Sequence, residues 1–177
     1  IRSRKLGSKL VKDGYKPGDI LATLALNTHR HLEAYYGISG IGAITHTLNF
    51  RLHPEQAVYI INHAEDKVIF VEAPFIPLLE ALQDKIPSVE KFIVFCDKEE
   101  MPETSLKNCV SYEEYIEDGD DNFEWPKLPD DAACGLCYTS GTTGNPKGGL
   151  YSHKSTILHA ISAAAPKTLK VQPDDSS

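Results

Sequence analysis

The sequence predicts an α/β fold, a mainly parallel sheet with flanking helices, and three observations carry the prediction. Short apolar runs at residues 20–26, 67–71 and 92–95 have strand length and little polar interruption, as strands buried on both faces do. Helical apolar spacing of about a dozen residues separates them, which implies β-α-β crossovers of one hand. A glycine-rich stretch from Tyr138 follows a further apolar run, the one holding Cys134 and Cys137, where such sheets place their ligand loops.

The elements follow in order. The basic start, with Arg2, Arg4, Lys5, Lys9, Lys12 and Lys16, resembles a transit peptide in charge alone. Leu6, Leu10 and Val11 give it a helical stripe running into a Pro17-Gly18-Asp19 turn, so it reads as structure. Residues 20–26 are the first strand. A helix over 31–41 has Leu32, Tyr35, Tyr36 and Ser39 on one face, and Gly40 and Gly42 allow a tight exit into residues 43–45. Pro54 suits a first helical turn, with Ala57, Val58, Ile60, Ile61 and Ala64 as its apolar face. Residues 67–71 form the second strand, 74–84 a helix carrying Phe75, Leu78, Leu79 and Leu82, and 92–95 the third strand. A last helix is expected over about 155–165.

Composition narrows the function classes. The 177 residues carry 18 Lys and Arg against 25 Asp and Glu, a net charge of −7, which argues against a nucleic-acid surface or an anionic-membrane binder. No apolar run approaches the ~20 residues of a spanning helix. The acidity is local: residues 97–131 hold 13 acidic residues and 3 lysines, a local −10, and the rest sums to +3. Pro102, Asn108, Gly119 and Asn122 punctuate that segment, so it reads as an acidic surface excursion between two packed regions. The start without Met and the turn-like end at Pro173-Asp-Asp-Ser-Ser read as a fragment.

Cys96, Cys109, Cys134 and Cys137 are too few and irregular for a secreted disulfide framework, which fits a reducing compartment. Cys134-Gly-Leu-Cys137 has redox or zinc spacing, yet no second pair completes a metal site, so both read as small buried residues of a strand. The seven histidines, His29, His31, His46, His53, His63, His153 and His159, form no recognised zinc spacing and read as surface or capping residues. His153 borders the glycine loop and is a candidate to orient it. Tyr35, Tyr36 and Phe50 read as core aromatics rather than a ligand wall.

The loop itself reads Tyr138-Thr-Ser-Gly-Thr-Thr-Gly-Asn-Pro-Lys-Gly148. Gly141, Gly144, Gly148 and Gly149 let the backbone approach a ligand closely and turn several N–H groups toward one point, which favours an anion. Thr139, Ser140, Thr142 and Thr143 add hydroxyls able to meet phosphate or a hydrated Mg²⁺, and Lys147 adds a mobile positive charge. A flexible Gly/Ser/Thr linker would lack the buried strand before it and the helix after it. The spacing is not that of the usual nucleotide loop, because Asn145-Pro146 separate the second glycine from the lysine, and there is no G-x-G-x-x-G for a dinucleotide.

In these residues, 138–148, the sequence resembles the adenylate-forming ligases: acyl-CoA synthetases, luciferases and peptide-synthetase adenylation domains. Ser152-His153 is similar to the family's usual continuation, while Gly149 departs from the more usual Val. The resemblance runs back over nearly the whole chain, through Lys16-Pro-Gly-Asp19, residues 41–52 (IGAITHTLNFRL) and 55–61 (EQAVYII). Thr45-His-Thr-Leu-Asn49 with Arg51-Leu52 is similar to the medium-chain and methylthio-propionate CoA ligase branch of the fatty-acyl-CoA synthetases.

The resemblance implies a reaction in two halves: a carboxylate attacks the α-phosphate of ATP to give an acyl-adenylate and pyrophosphate, then CoA displaces AMP. Thr139, Ser140, Gly141, Thr142, Thr143 and Gly144 would contact phosphate, Thr139 would meet Mg²⁺, and Lys147 would pair with the leaving pyrophosphate. Residues 1–177 would be the incomplete N-terminal part of the adenylation domain, with the phosphate loop at 138–149. The mobile C-terminal domain and the adenine, acyl and CoA sites would lie beyond Ser177, so the isolated chain is expected to be inactive. The alternatives are a short non-catalytic interaction module and another adenylate-forming enzyme. The cytoplasm is the default compartment, an organelle being open to a chain whose start is missing.

Overall fold

The computed structural model describes residues 1–139 and 145–164. Among these, one sheet has the strand order β5-β4-β3-β1-β2-β6-β7. The strands are β1 (Ile20–Leu24), β2 (Ile44–Thr47), β3 (Val68–Val71), β4 (Lys91–Val94), β5 (Cys109–Ser111), β6 (Ala133–Thr139) and β7 (Lys147–Ser152). All neighbours pair parallel except β6 and β7, which form an antiparallel hairpin at one edge. The helices are α1 (Arg2–Lys12), α2 (His29–Gly40), α3 (Pro54–Ala64), α4 (Ile76–Leu82), α5 (Tyr112–Glu117) and α6 (His153–Ala164). The α/β class with a mainly parallel sheet is thus observed.

The strand pleat sorts the core into two layers. In β3, Val68 and Phe70 join Leu6 and Leu10 of α1, Ala34 and Ile38 of α2, and Tyr112 and Tyr115 of α5. The alternate residues Ile69 and Val71 join Ile60 and Ile61 of α3 and Ile76 and Leu79 of α4 on the other face. All four residues of β3 are buried, which is why residues 67–71 read as a continuous apolar run. Burying each such side chain stabilises by about 1.5–3 kcal/mol. Gly42, at φ +83, turns the chain from α2 into β2, a conformation that a Cβ would strain.

Several expectations need correction. In α2 the buried residues are Ala34, Gly37 and Ile38, whereas Leu32 and Tyr36 are 60% and 62% exposed. The cause is close packing on α1: a Cβ on Gly37 would lie 2.6 Å from Leu6 Cδ2, so small residues face inward. Tyr35 and Phe50 are likewise partly exposed rather than core, Phe50 stacking on Phe75 at 5.3 Å. Val11 is exposed on α1. The segment 97–131 is not a surface excursion, because it supplies β5 and α5, whose Tyr112 and Tyr115 are buried. Its charges close an ion-pair network in which Glu113 accepts from both Arg2 and Arg30, and Arg30 also reaches Asp97. Residues 44–47 and 147–152, expected as a helix exit and a loop continuation, are strands.

Candidate functional site

The described residues of the glycine-rich motif sit on the β6–β7 hairpin. Because β6 runs parallel to β2, residue 139 leaves the sheet at its carboxyl edge, the side that sequence reasoning assigned to chemistry. The ladder returns at once: Tyr138 faces Gly148 and Thr139 faces Lys147. Thr139 and Lys147 are therefore cross-strand partners at the mouth of the loop, and both are exposed. Their side chains share one sheet face, so a hydroxyl and an ammonium stand side by side. Ser140, Gly141, Thr142, Thr143 and Gly144 lie outside the described residues. Pro146, directly before Lys147, is buried and anchors the returning strand.

The root of the hairpin is built from residues that the loop motif does not include. Tyr138 Oη lies 2.6 Å from Nδ1 of His63 on α3. The Tyr138 ring packs on His46 of β2, centroids 5.1 Å apart. It also fills the space over Gly148, where a Cβ would come within 3.1 Å of Tyr138 Cζ and of Leu136 Cδ1. His46 is fully buried, and its Nδ1–H donates to Asp66, 2.8 and 3.0 Å from the two carboxylate oxygens. Asp66 is also fully buried, and that burial pushes its carboxyl up to about 6 against the opposing pull of His46. His46 Nε2 has no hydrogen-bond partner among the described residues.

Sequence reasoning missed this cluster by treating the histidines as surface or capping groups. His53 does cap α3, its ring accepting from the Glu55 N–H. His46 is different, and the signal for it was a polar residue inside a strand with an acid twenty positions later. His153 needs a correction: Ser152 pairs with Ala133, at the opposite end of β6 from the loop. Ser152, the residue before it, is five residue steps along β7 and about 17 Å from Lys147, so His153 does not border the loop. Cys134 is buried on β6 and Cys137 half-buried, 3.2 Å from Thr47 Oγ1. All four cysteines are free, and no group of three or more His, Cys, Asp or Glu among the described residues is placed to hold a metal.

The fold is an α/β domain whose motif residues Thr139 and Lys147 stand at the carboxyl edge of its sheet. Residues 1–177 match the AMP-binding enzyme family over their whole length, and the chain belongs to that family. It is 46% identical over 176 residues to a medium-chain-fatty-acid–CoA ligase of Ectopseudomonas oleovorans, covering 99% of this chain and 32% of that protein. A 3-methylmercaptopropionyl-CoA ligase of Ruegeria pomeroyi is 48% identical over 159 residues, covering 90% of this chain and 30% of that protein. Among solved structures, an anthranilate CoA ligase in complex with anthranoyl-AMP superposes with a TM-score of 0.82 at 28% identity, over 90% of this chain and 30% of that one. The chain thus spans about a third of the length of these relatives. No helix of the described residues is long and apolar enough to cross a membrane.

Proposed function

We propose that this chain is the phosphate-binding part of an ATP-dependent acid–thiol ligase that converts a carboxylic acid, of the fatty-acid kind, to an acyl-adenylate and then to a CoA thioester. The observation that carries the reading is the hairpin that sets the Thr139 hydroxyl opposite the Lys147 ammonium across the motif loop. The chain-long similarity to fatty-acid and methylmercaptopropionate CoA ligases supports the choice of acid and of CoA.

Charge accumulates on pyrophosphate as the acid attacks the α-phosphate. Lys147, on the first residue of a paired strand, meets that charge from a fixed backbone position with a flexible stem. Ser140, Gly141, Thr142, Thr143 and Gly144 fall to the same task through N–H and hydroxyl groups. Thr139 offers one exposed oxygen donor, which fits Mg²⁺ held chiefly by nucleotide phosphates with few protein ligands. The ion when bound would share the charge on the phosphates. In this reading residues 1–177 are the N-terminal part of the adenylation domain, and a mobile C-terminal domain with the remaining motifs belongs to the rest of the enzyme. The four free thiols support a reducing compartment, for which we propose the cytoplasm.

Acid-dependent exchange of labelled pyrophosphate into ATP, run with the full-length protein over a panel of carboxylic acids, tests the reading. Exchange is expected with medium-chain or short thioether acids and absent without acid. No exchange with any acid, from a folded protein, would refute it.

A further inference from the structure

Tyr138 stands immediately before Thr139, yet its side chain is fixed from three other elements. From α3, His63 holds the hydroxyl at 2.6 Å. His63 is itself oriented by stacking on Tyr59, four residues earlier on the same helix, with centroids 5.4 Å apart. From β2, the buried His46 supports the ring at 5.1 Å, and Asp66 fixes His46 in turn. From β7, Gly148 leaves room for the ring that any Cβ would contest. A residue that merely filled the core would need none of the polar part of this arrangement. Tyr138 is only partly buried and His63 is exposed, so their hydrogen bond adds direction rather than burial.

We infer that Tyr138 is the positioning residue of the Thr139–Lys147 pair and that His63, although on α3, acts on that pair through it. The inference rests on the ligase reading above. The ring held from α3 and β2 fixes where the Tyr138 backbone sits, and the ladder pairs Tyr138–Gly148 and Thr139–Lys147 carry that position to both residues at the mouth of the loop. Displacements of about 1 Å at a reacting group cost about 10²-fold, so a single hydrogen bond at the loop root has leverage on catalysis.

The test is steady-state pyrophosphate exchange by the full-length protein bearing Tyr138→Phe, His63→Leu, both together, or His63→Asn, whose amide reaches the place of Nδ1. Losing one hydrogen bond of about 1 kcal/mol predicts a rise of about fivefold in KM for ATP with either Tyr138→Phe or His63→Leu. KM for the acid stays at its wild-type value, and the thermal midpoint falls by no more than about 2–4 °C. The double variant is no worse than either single one, because both remove the same bond. His63→Asn restores most of the ATP affinity. An unchanged KM for ATP in Tyr138→Phe overturns the inference, as do effects that multiply in the double variant. A loss of stability that moves all Michaelis constants together overturns it too, because that marks simple packing. A wild-type protein without acid-dependent exchange would instead defeat the ligase reading, and this inference with it.

Discussion

Replacing Asp66 by Ala isolates the buried pair beneath the hairpin. In the wild type the His46 Nδ1–H has both carboxylate oxygens within 3.0 Å, and neither residue has any solvent exposure. After the substitution the donor has no replacement from water. A buried unsatisfied group costs about 1–3 kcal/mol. A loss near 3 kcal/mol is therefore expected, or about 10²-fold in the opening equilibrium of β2, which carries His46, and of β3, which follows Asp66. Amide hydrogen exchange read by mass spectrometry over β2 and β3 is the suitable assay, since it reports local opening. Asp66→Asn keeps an acceptor and should lose about 1 kcal/mol. Combining Asp66→Ala with His46→Leu should recover protection, because no polar group is then stranded. An Asp66→Ala protein with wild-type protection in β2 and β3 would refute the reasoning.

Three further outcomes are expected. Lys147→Ala in the full-length protein should slow acid-dependent pyrophosphate exchange by at least about 10²-fold, as the loss of one preorganised charge contact does, and an unchanged rate would remove Lys147 from its proposed role. Gly148→Val should cost about 1–3 kcal/mol in urea unfolding, because its Cβ would crowd Leu136 and Tyr138 at 3.1 Å; it should also raise KM for ATP. Arg2 and Arg30 hold the Glu113 carboxyl below its ordinary 4.5, so Glu113 adds stability above that pH and loses it as the pH falls further. Asp66 has the opposite sign. Its folded value of about 6 exceeds the ordinary 3.8, so its contribution is greatest below pH 3.8 and declines as the pH rises through 6. Thermal midpoints of Glu113→Gln and Asp66→Asn between pH 3 and 7 should show the two slopes removed separately.

The sequence was most legible where one physical signal dominated. β1, β3 and β4 are buried on both faces, so their apolar runs needed no partner to be recognised. The motif loop was legible because its glycines, hydroxyls and lysine are consecutive. β7 was not, since Lys147, Gly148 and Gly149 have no strand propensity and become a strand only by pairing with β6. The face of α2 was misjudged for a related reason: large apolar residues at helical spacing suggest the core, but close contact with α1 selects Ala34 and Gly37 instead. The acidic segment concealed β5 and α5 because its carboxylates are paid for by arginines more than sixty positions away in sequence. His46, Asp66, His63 and Tyr138 meet only through tertiary structure, so no local pattern could announce them.

The place of the loop in the sheet bears on how the site works. In the order β5-β4-β3-β1-β2-β6-β7 the direction of winding reverses between β1 and β3, which is where ligands commonly sit in such sheets. Here Thr28, following β1, donates to Glu72, following β3, at 3.0 Å, tying the two strand ends together. The motif loop lies instead beyond β2, on a hairpin whose second strand is antiparallel and exposed. The hairpin at this edge is paired with the rest of the sheet on one side only. It must take its rigidity from its own root, and there the structure concentrates a cross-strand Thr139–Lys147 pair, a buried Pro146 and a tyrosine held through His46 to a buried carboxylate.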